Sequence, residues 1–316
     1  MTLGELYEKA VSTGIGNDPR GLDIVNNELL SVKKEFDELK DKDKEFFDKE
    51  TLKNPYADSR ILYGNGDEEI RTILAGIDME VGEVVLADRL RSKGRTISML
   101  LSHHPEGRAY AHLYDVMRMQ SDVLHRFGVP INIAEDLMEG RIKEVERRLM
   151  PVNHTRAVDA ARLLDIPFMC LHTPADNMVA SYLQGTFDER KPYRIEDVVD
   201  LLLEVPEYRQ AKKIGAGPKI LIGSEKRKAG KVFVDMTGGT EGARKIFSSL
   251  TAGGVSTIVA MHLSEDHRKE AEKNHLNVVI AGHIASDNVG VNLLLDKILD
   301  NTIEVIECSG FSRVGR

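Results

Sequence analysis

Short apolar runs that end in a polar residue and hand over to a helix recur along this chain, and that alternation constrains its fold more than any other feature. ILYGNG and TILAGI are β-prone runs, the second ending at Asp78; VGEVVLADRLRSKG has helical character, and TISMLL is a buried strand running into His103. The order returns downstream. KVFVDM ends at Asp235, GTEGARKIFSSLTAGG is predicted helical, and VSTIVAM runs into His262. Strands alternating with helices predict the α/β class. GIDMEVGEVVLADRL and FVDMTGGTEGARKIF share an Asp-Met after the strand, and the intervals Asp78 to His103 and Asp235 to His262 are nearly equal. We read this as an internal duplication giving two related α/β units.

A length of 316 residues accommodates both units and a sizeable core. Residues 1–60 form a charged, helical lead-in. Residues 61–212 form the first α/β unit, with a helical insertion from AHLYDVMRMQSDVLHRFG through HTRAVDAARLLD, and residues 213–316 form the second. The Gly- and Pro-containing stretch PEYRQAKKIGAGP links them. No apolar run approaches the roughly 18–20 residues of a membrane span, and MTLGELYEKAVSTG reads as an amphipathic helix instead of a signal peptide. A net charge of −8 gives no reason to expect nucleic acid as a partner. Cys170 and Cys308 follow no pairing pattern, so the expected setting is reducing and cytoplasmic.

Three strand ends carry the chemistry. His103 and His104 stand in SMLLSHHPEG, before a proline that stops the strand. Neighbouring residues on a strand point to opposite faces, so the two rings converge only if the strand ends there; a surface turn is the other reading. IPFMCLHTPADN ends with His172 and Asp176. Cys170 lies on the same strand face as His172, but a buried apolar cysteine is preferred to a Cys-x-His metal pair. In VVIAGHIASDNVGVNLLLDKIL, His283 and Asp287 are four apart and share a helical face if the helix begins early; Asp287 as a plain N-cap is the alternative. A mixed imidazole and carboxylate set suits Zn, Fe or Mn better than Ca or Mg.

SHHPEG, the HTPAD element and AGHIASD, in this order and spacing, resemble the NIF-three-like family (NGG-interacting factor three), some of whose members carry the label GTP cyclohydrolase type two. The resemblance runs from about residue 70 to residue 298 and takes in GIDM and DMTGGTEG. It implies two intertwined α/β domains, a di-metal site and ring-like hexamers. Carried over residue by residue, it implies His103, His104, Asp176, His283 and Asp287 as metal ligands, the carboxylates bridging, with His172 as a neighbour. Two departures stand out. The family usually has glutamate where this chain has Asp287, so the bridge is one methylene shorter. The family also has a Gly-Glu pair where this chain has Met261-His262, leaving His262 as a base, an extra ligand or a filler.

The expected function is a metal-dependent hydrolase acting on a nucleotide-like or other small polar substrate, with two divalent ions (Zn, Fe or Mn) as cofactors. Water held between the ions would lose a proton near neutral pH and attack as metal-bound hydroxide. His172 or His262 would be the catalytic proton carrier. The alternative is a metal-binding regulatory or metal-delivery protein without turnover. MTGGTEG before a helix is a candidate phosphate cradle, although a tight strand-to-helix turn is the preferred reading. Partners are expected to be the small-molecule substrate and copies of the chain itself, a hexamer by resemblance.

Overall fold

The computed structural model describes residues 1–316. Its nine strands are β1 (Arg60–Tyr63), β2 (Thr72–Gly76), β3 (Met99–Ser102), β4 (Phe168–Cys170), β5 (Lys219–Ile222), β6 (Lys231–Asp235), β7 (Val255–Ala260), β8 (Asn277–Ile280) and β9 (Glu304–Glu307). One sheet has the order β1-β4-β3-β2-β9 and the other β5-β8-β7-β6. Within each, three successive strands pair in parallel and an antiparallel strand closes one edge, β1 on β4 and β5 on β8. β1-β4-β3-β2 therefore has the same topology as β5-β8-β7-β6, which is the duplication the sequence suggested. The central strands are apolar on both faces, as parallel strands covered by helices must be.

Two long helices, Thr173–Arg190 after β4 and His283–Ile298 after β8, lie between the sheets. Ala175, Met178, Val291, Leu294 and Leu295 pack with Ile73, Met99, Leu101 and Met169 of the first sheet. Val179, Leu183, Phe187 and Val289 pack with Val232, Val234, Val259 and Val279 of the second. The two helices cross closely: a Cβ at Gly290 would lie 2.4 Å from the Ala175 carbonyl oxygen, so only glycine fits there. The outer face of the first sheet is covered by the helices Val81–Ser92 and Arg156–Leu163. No helix is long and apolar enough to cross a membrane.

Each layer draws on sequence from both sides of residue 212. The helix Ile131–Leu149, part of the insertion between β3 and β4, packs on the far sheet, with Ala134, Met138 and Ile142 against the cluster of Phe233, Ile258 and Val278. Likewise, Ile195, Val198 and Leu202 of the helix Ile195–Glu204 join the second sheet's core. In the reverse direction β9 leaves the second unit and pairs in parallel with β2, satisfying backbone groups that an open edge would leave unpaired. The lead-in also contributes to the core, since Leu3, Leu6 and Ala10 of the helix Leu3–Gly16 are buried against the first sheet. The helix predicted over GTEGARKIFSSLTAGG covers only Ile246–Ala252. Gly238 and Gly239 adopt φ of 90° and 88°, outside helical space, and Gln120 Nε2 donates to the carbonyls of Gly238 and Thr240, fixing the segment as a loop.

Candidate metal centre

Register brings the polar strand ends together. Gly76 pairs with Ser102, and Ser102 with Cys170, in parallel; Arg60 pairs with Cys170 in antiparallel. Two residues beyond these partners stand Asp78, His104 and His172, and two residues before Arg60 stands Asp58. Along the carboxyl edge of the sheet, where α/β folds collect ligands, the row runs carboxylate, imidazole, imidazole, carboxylate.

The chain turns after Ser102, whose Oγ donates to the carbonyls of Ile77 (3.3 Å) and His104 (2.6 Å). The turn lets His103 and His104 converge, with ring centroids 5.2 Å apart. Each of three imidazoles is held from behind. His103 Nδ1 donates to the Leu171 carbonyl (3.2 Å), His104 Nδ1 to Asp78 (2.7 Å) and His172 Nδ1 to Asp58 (2.8 Å). These oxygens only accept, so Nδ1 carries the hydrogen and Nε2 presents a lone pair to the space in front, the arrangement metal-ligating histidines show.

Asp176 and Asp287 close that space from near the N-terminal ends of the two central helices. They are 4% and 1% exposed. His103 Nε2 lies 3.5 Å from an oxygen of each, His104 Nε2 3.5 Å from Asp287, and His283 Nε2 3.7 Å from Asp287. The shorter side chain at 287 thus still reaches both members of the histidine pair. Asp176 Oδ1, both Asp287 oxygens and His103 Nε2 are buried without hydrogen-bond partners. Four unsatisfied atoms converging at one point are what a protein core avoids, at roughly 1–3 kcal/mol each. Three overlapping sets of donors lie within 4.8 Å of one another: His103, His104 and His172; His104, His283 and Asp287; His103, Asp176 and Asp287.

The charges are unevenly shared. Burial opposes ionisation of Asp287, but the rings of His103 and His104 outweigh it and hold that carboxyl well below its usual range. Burial, reinforced by the Asp287 charge, pushes Asp176 well above it. Burial also works against a charge on His104, yet Asp287 and Asp78 raise it to about 9; His283 is lowered to about 4 by burial and by the nearby His262 and His104.

The cluster forms one wall of a cavity of about 450 Å³ shared between the two units. Across it stand Asp235, Thr237, Glu241 and His262 of the second unit, and Arg156 is the only lysine or arginine on its lining. His262 follows β7 as His104 follows β3. Its side chain is 50% exposed, its ring centroid is 4.8 Å from that of His283, and Nε2 is 3.9 Å from Glu241, but it belongs to none of the donor sets. Cys170 is buried, donates to the Asp58 carbonyl and has its thiol pushed up to about 12 by burial, so it is no ligand. The predicted residues His103, His104, His172, Asp176, His283 and Asp287 are all brought together. Sequence reasoning missed Asp58, Glu241 and the role of Asp78 behind His104. Only strand register could have found Asp58 and Asp78. The glycine-rich loop offers no helix N-terminus to a phosphate, because the helix begins at Ile246.

No family model and no curated protein matches the chain. Among solved structures, it is similar to a NIF3 superfamily protein from Sphaerobacter thermophilus, at 25% identity and a TM-score of 0.70 over 80% of this chain and 91% of that one. It also matches the reduced HcgD of Methanocaldococcus jannaschii, at 17% identity and a TM-score of 0.47, covering 78% and 87% of the two chains. A Staphylococcus aureus protein, SA1388, matches at 13% identity and a TM-score of 0.44, covering 80% and 89%.

Proposed function

This chain belongs to the NIF3-like family, and on that footing we propose that it is a hydrolase of small polar, nucleotide-like substrates that depends on two divalent metal ions. His103, His104, Asp176, His283 and Asp287 would hold the ions. The observation that carries this reading is the convergence of unpartnered buried atoms on His103, Asp176 and Asp287. Divalent cations satisfy such atoms, and a mixed N/O donor set favours Zn, Fe or Mn. Bound ions would supply Lewis acidity, lowering the pKa of water toward neutrality.

The chain's own residues do the rest. Asp78 and the Leu171 carbonyl fix the tautomers and ring planes of His104 and His103. The cavity volume suits a nucleotide or smaller molecule, and an anionic group would meet Arg156. His262 lines the cavity beside Glu241, on the substrate side of the cluster, and is placed to pass a proton to or from the substrate through its ring nitrogen.

The test is metal analysis of the purified full-length protein, followed by assays on nucleotides, phosphodiesters and cyclic amides with Mn, Fe or Zn. Two ions per chain and hydrolysis of one of these classes are expected, with both lost in His104→Ala and Asp176→Ala. Wild-type protein that binds no metal under anaerobic conditions would overturn the reading. Two ions without turnover on any class would instead favour a metal carrier or regulator.

A further inference from the structure

We propose that Asp58 is a positioning residue that holds His172 as a sixth donor to the metal centre, an inference that rests on the two-ion reading above. The antiparallel register of β1 on β4 sets Asp58 opposite His172. Asp58 is fully buried and accepts from His172 Nδ1 (2.8 Å), Thr173 Oγ1 (2.6 Å) and Ser59 Oγ (3.2 Å). Ser59 Oγ also accepts from the His172 backbone N–H at 2.9 Å, so both ring and backbone of His172 are fixed. With Nδ1–H committed to a carboxylate, the Nε2 lone pair faces His103 and His104, whose ring centroids are 4.9 and 5.9 Å away.

The internal duplication points the same way independently. His172 and Asp176 open the helix after β4 with the spacing that His283 and Asp287 have after β8. The Nε2-to-carboxylate distance is 3.7 Å in both pairs. If His283 donates to an ion beside Asp287, its counterpart is placed to do the same beside Asp176. His172 is also better buried than His283, with side-chain exposures of 8% and 40%. Its ring is thus set deeper among the candidate ligands than that of His283, which stands beside the exposed His262. A carboxylate behind the imidazole raises its basicity as a ligand and prevents the ring from turning.

The test uses the full-length, metal-stripped protein. ¹⁵N-histidine NMR of the wild type should show His172 as the Nδ1–H tautomer; finding the Nε2–H tautomer would overturn the role of Asp58 without any variant. Titration with Co²⁺, followed by calorimetry and visible absorption, should show two ions bound to the wild type. Binding of one of them should weaken on the order of 10–100-fold in Asp58→Asn, and at least as much in His172→Ala, with a shifted d–d band. Wild type that takes up two Co²⁺ while His172→Ala matches it in affinity and spectrum sinks this inference alone. Wild type that takes up no Co²⁺ sinks the two-ion reading beneath it.

Discussion

Asp235 shows how the cavity acts on a single side chain. It ends β6, is ringed by protein but open to the cavity, and burial together with Glu241 raises its carboxyl to about 6. A carboxyl whose pKa is raised on folding is destabilising when charged, so the folded state loses stability as pH rises from about 4 through about 6. Solvent reaching it through the cavity makes this loss smaller than the shift alone implies. Asp235→Asn should therefore have a higher Tm than the wild type at pH 7, with the gain vanishing near pH 4. A gain that is constant across that range would contradict this account. Asp176 and Asp287 impose a different constraint. Their unpartnered oxygens leave the metal-free protein short of satisfied groups, so added Mn or Zn should raise the Tm of the wild type. At about a hundredfold excess over Kd, the stabilisation is roughly 2.7 kcal/mol. Differential scanning fluorimetry should find this gain reversed by EDTA and missing in Asp176→Asn.

Among the elements, the crossing of the two central helices sets the geometry of the centre. Ala175 precedes Asp176, and Gly290 lies three residues after Asp287, so the point of closest approach is within one turn of both carboxylates. An added methyl at Gly290 would meet the Ala175 backbone at 2.4 Å and push the helices apart. Gly290→Ala should cost roughly 1–3 kcal/mol through overpacking and should also weaken metal binding. Gly140, within the helix Ile131–Leu149, has open space around it; Gly140→Ala should be stabilising by up to ~1 kcal/mol through helix propensity. Urea denaturation of the two variants gives the comparison, and equal effects would refute the packing argument.

For the whole molecule, the crossovers join the two sheets. The insertion after β3 and the helix Ile195–Glu204 cover the second sheet, while β9 returns to the first. Neither unit keeps a complete core without segments lying in the other's stretch of sequence. The protein is therefore expected to unfold as one cooperative system. Hydrogen exchange in rising denaturant should release the amides of β3 and β7 together, and separate transitions would show two independent units.

By itself the sequence determined the local features. Apolar runs such as TILAG and NVVI must be buried, and the polar residues that end them must gather at sheet edges, so His103, His104, His172, Asp176, His283 and Asp287 could be named without coordinates. It was weaker where local signals were thin: β5 and β9 are short and half exposed, and MTGGTEG looked like a helix start although Gly238 and Gly239 take left-handed φ. Only the tertiary structure decided which carboxylate stands behind which imidazole and which helix covers which sheet. Asp58 and His172 are 114 residues apart, and their meeting depends on antiparallel register, a non-local choice made by packing that no stretch of the chain encodes alone.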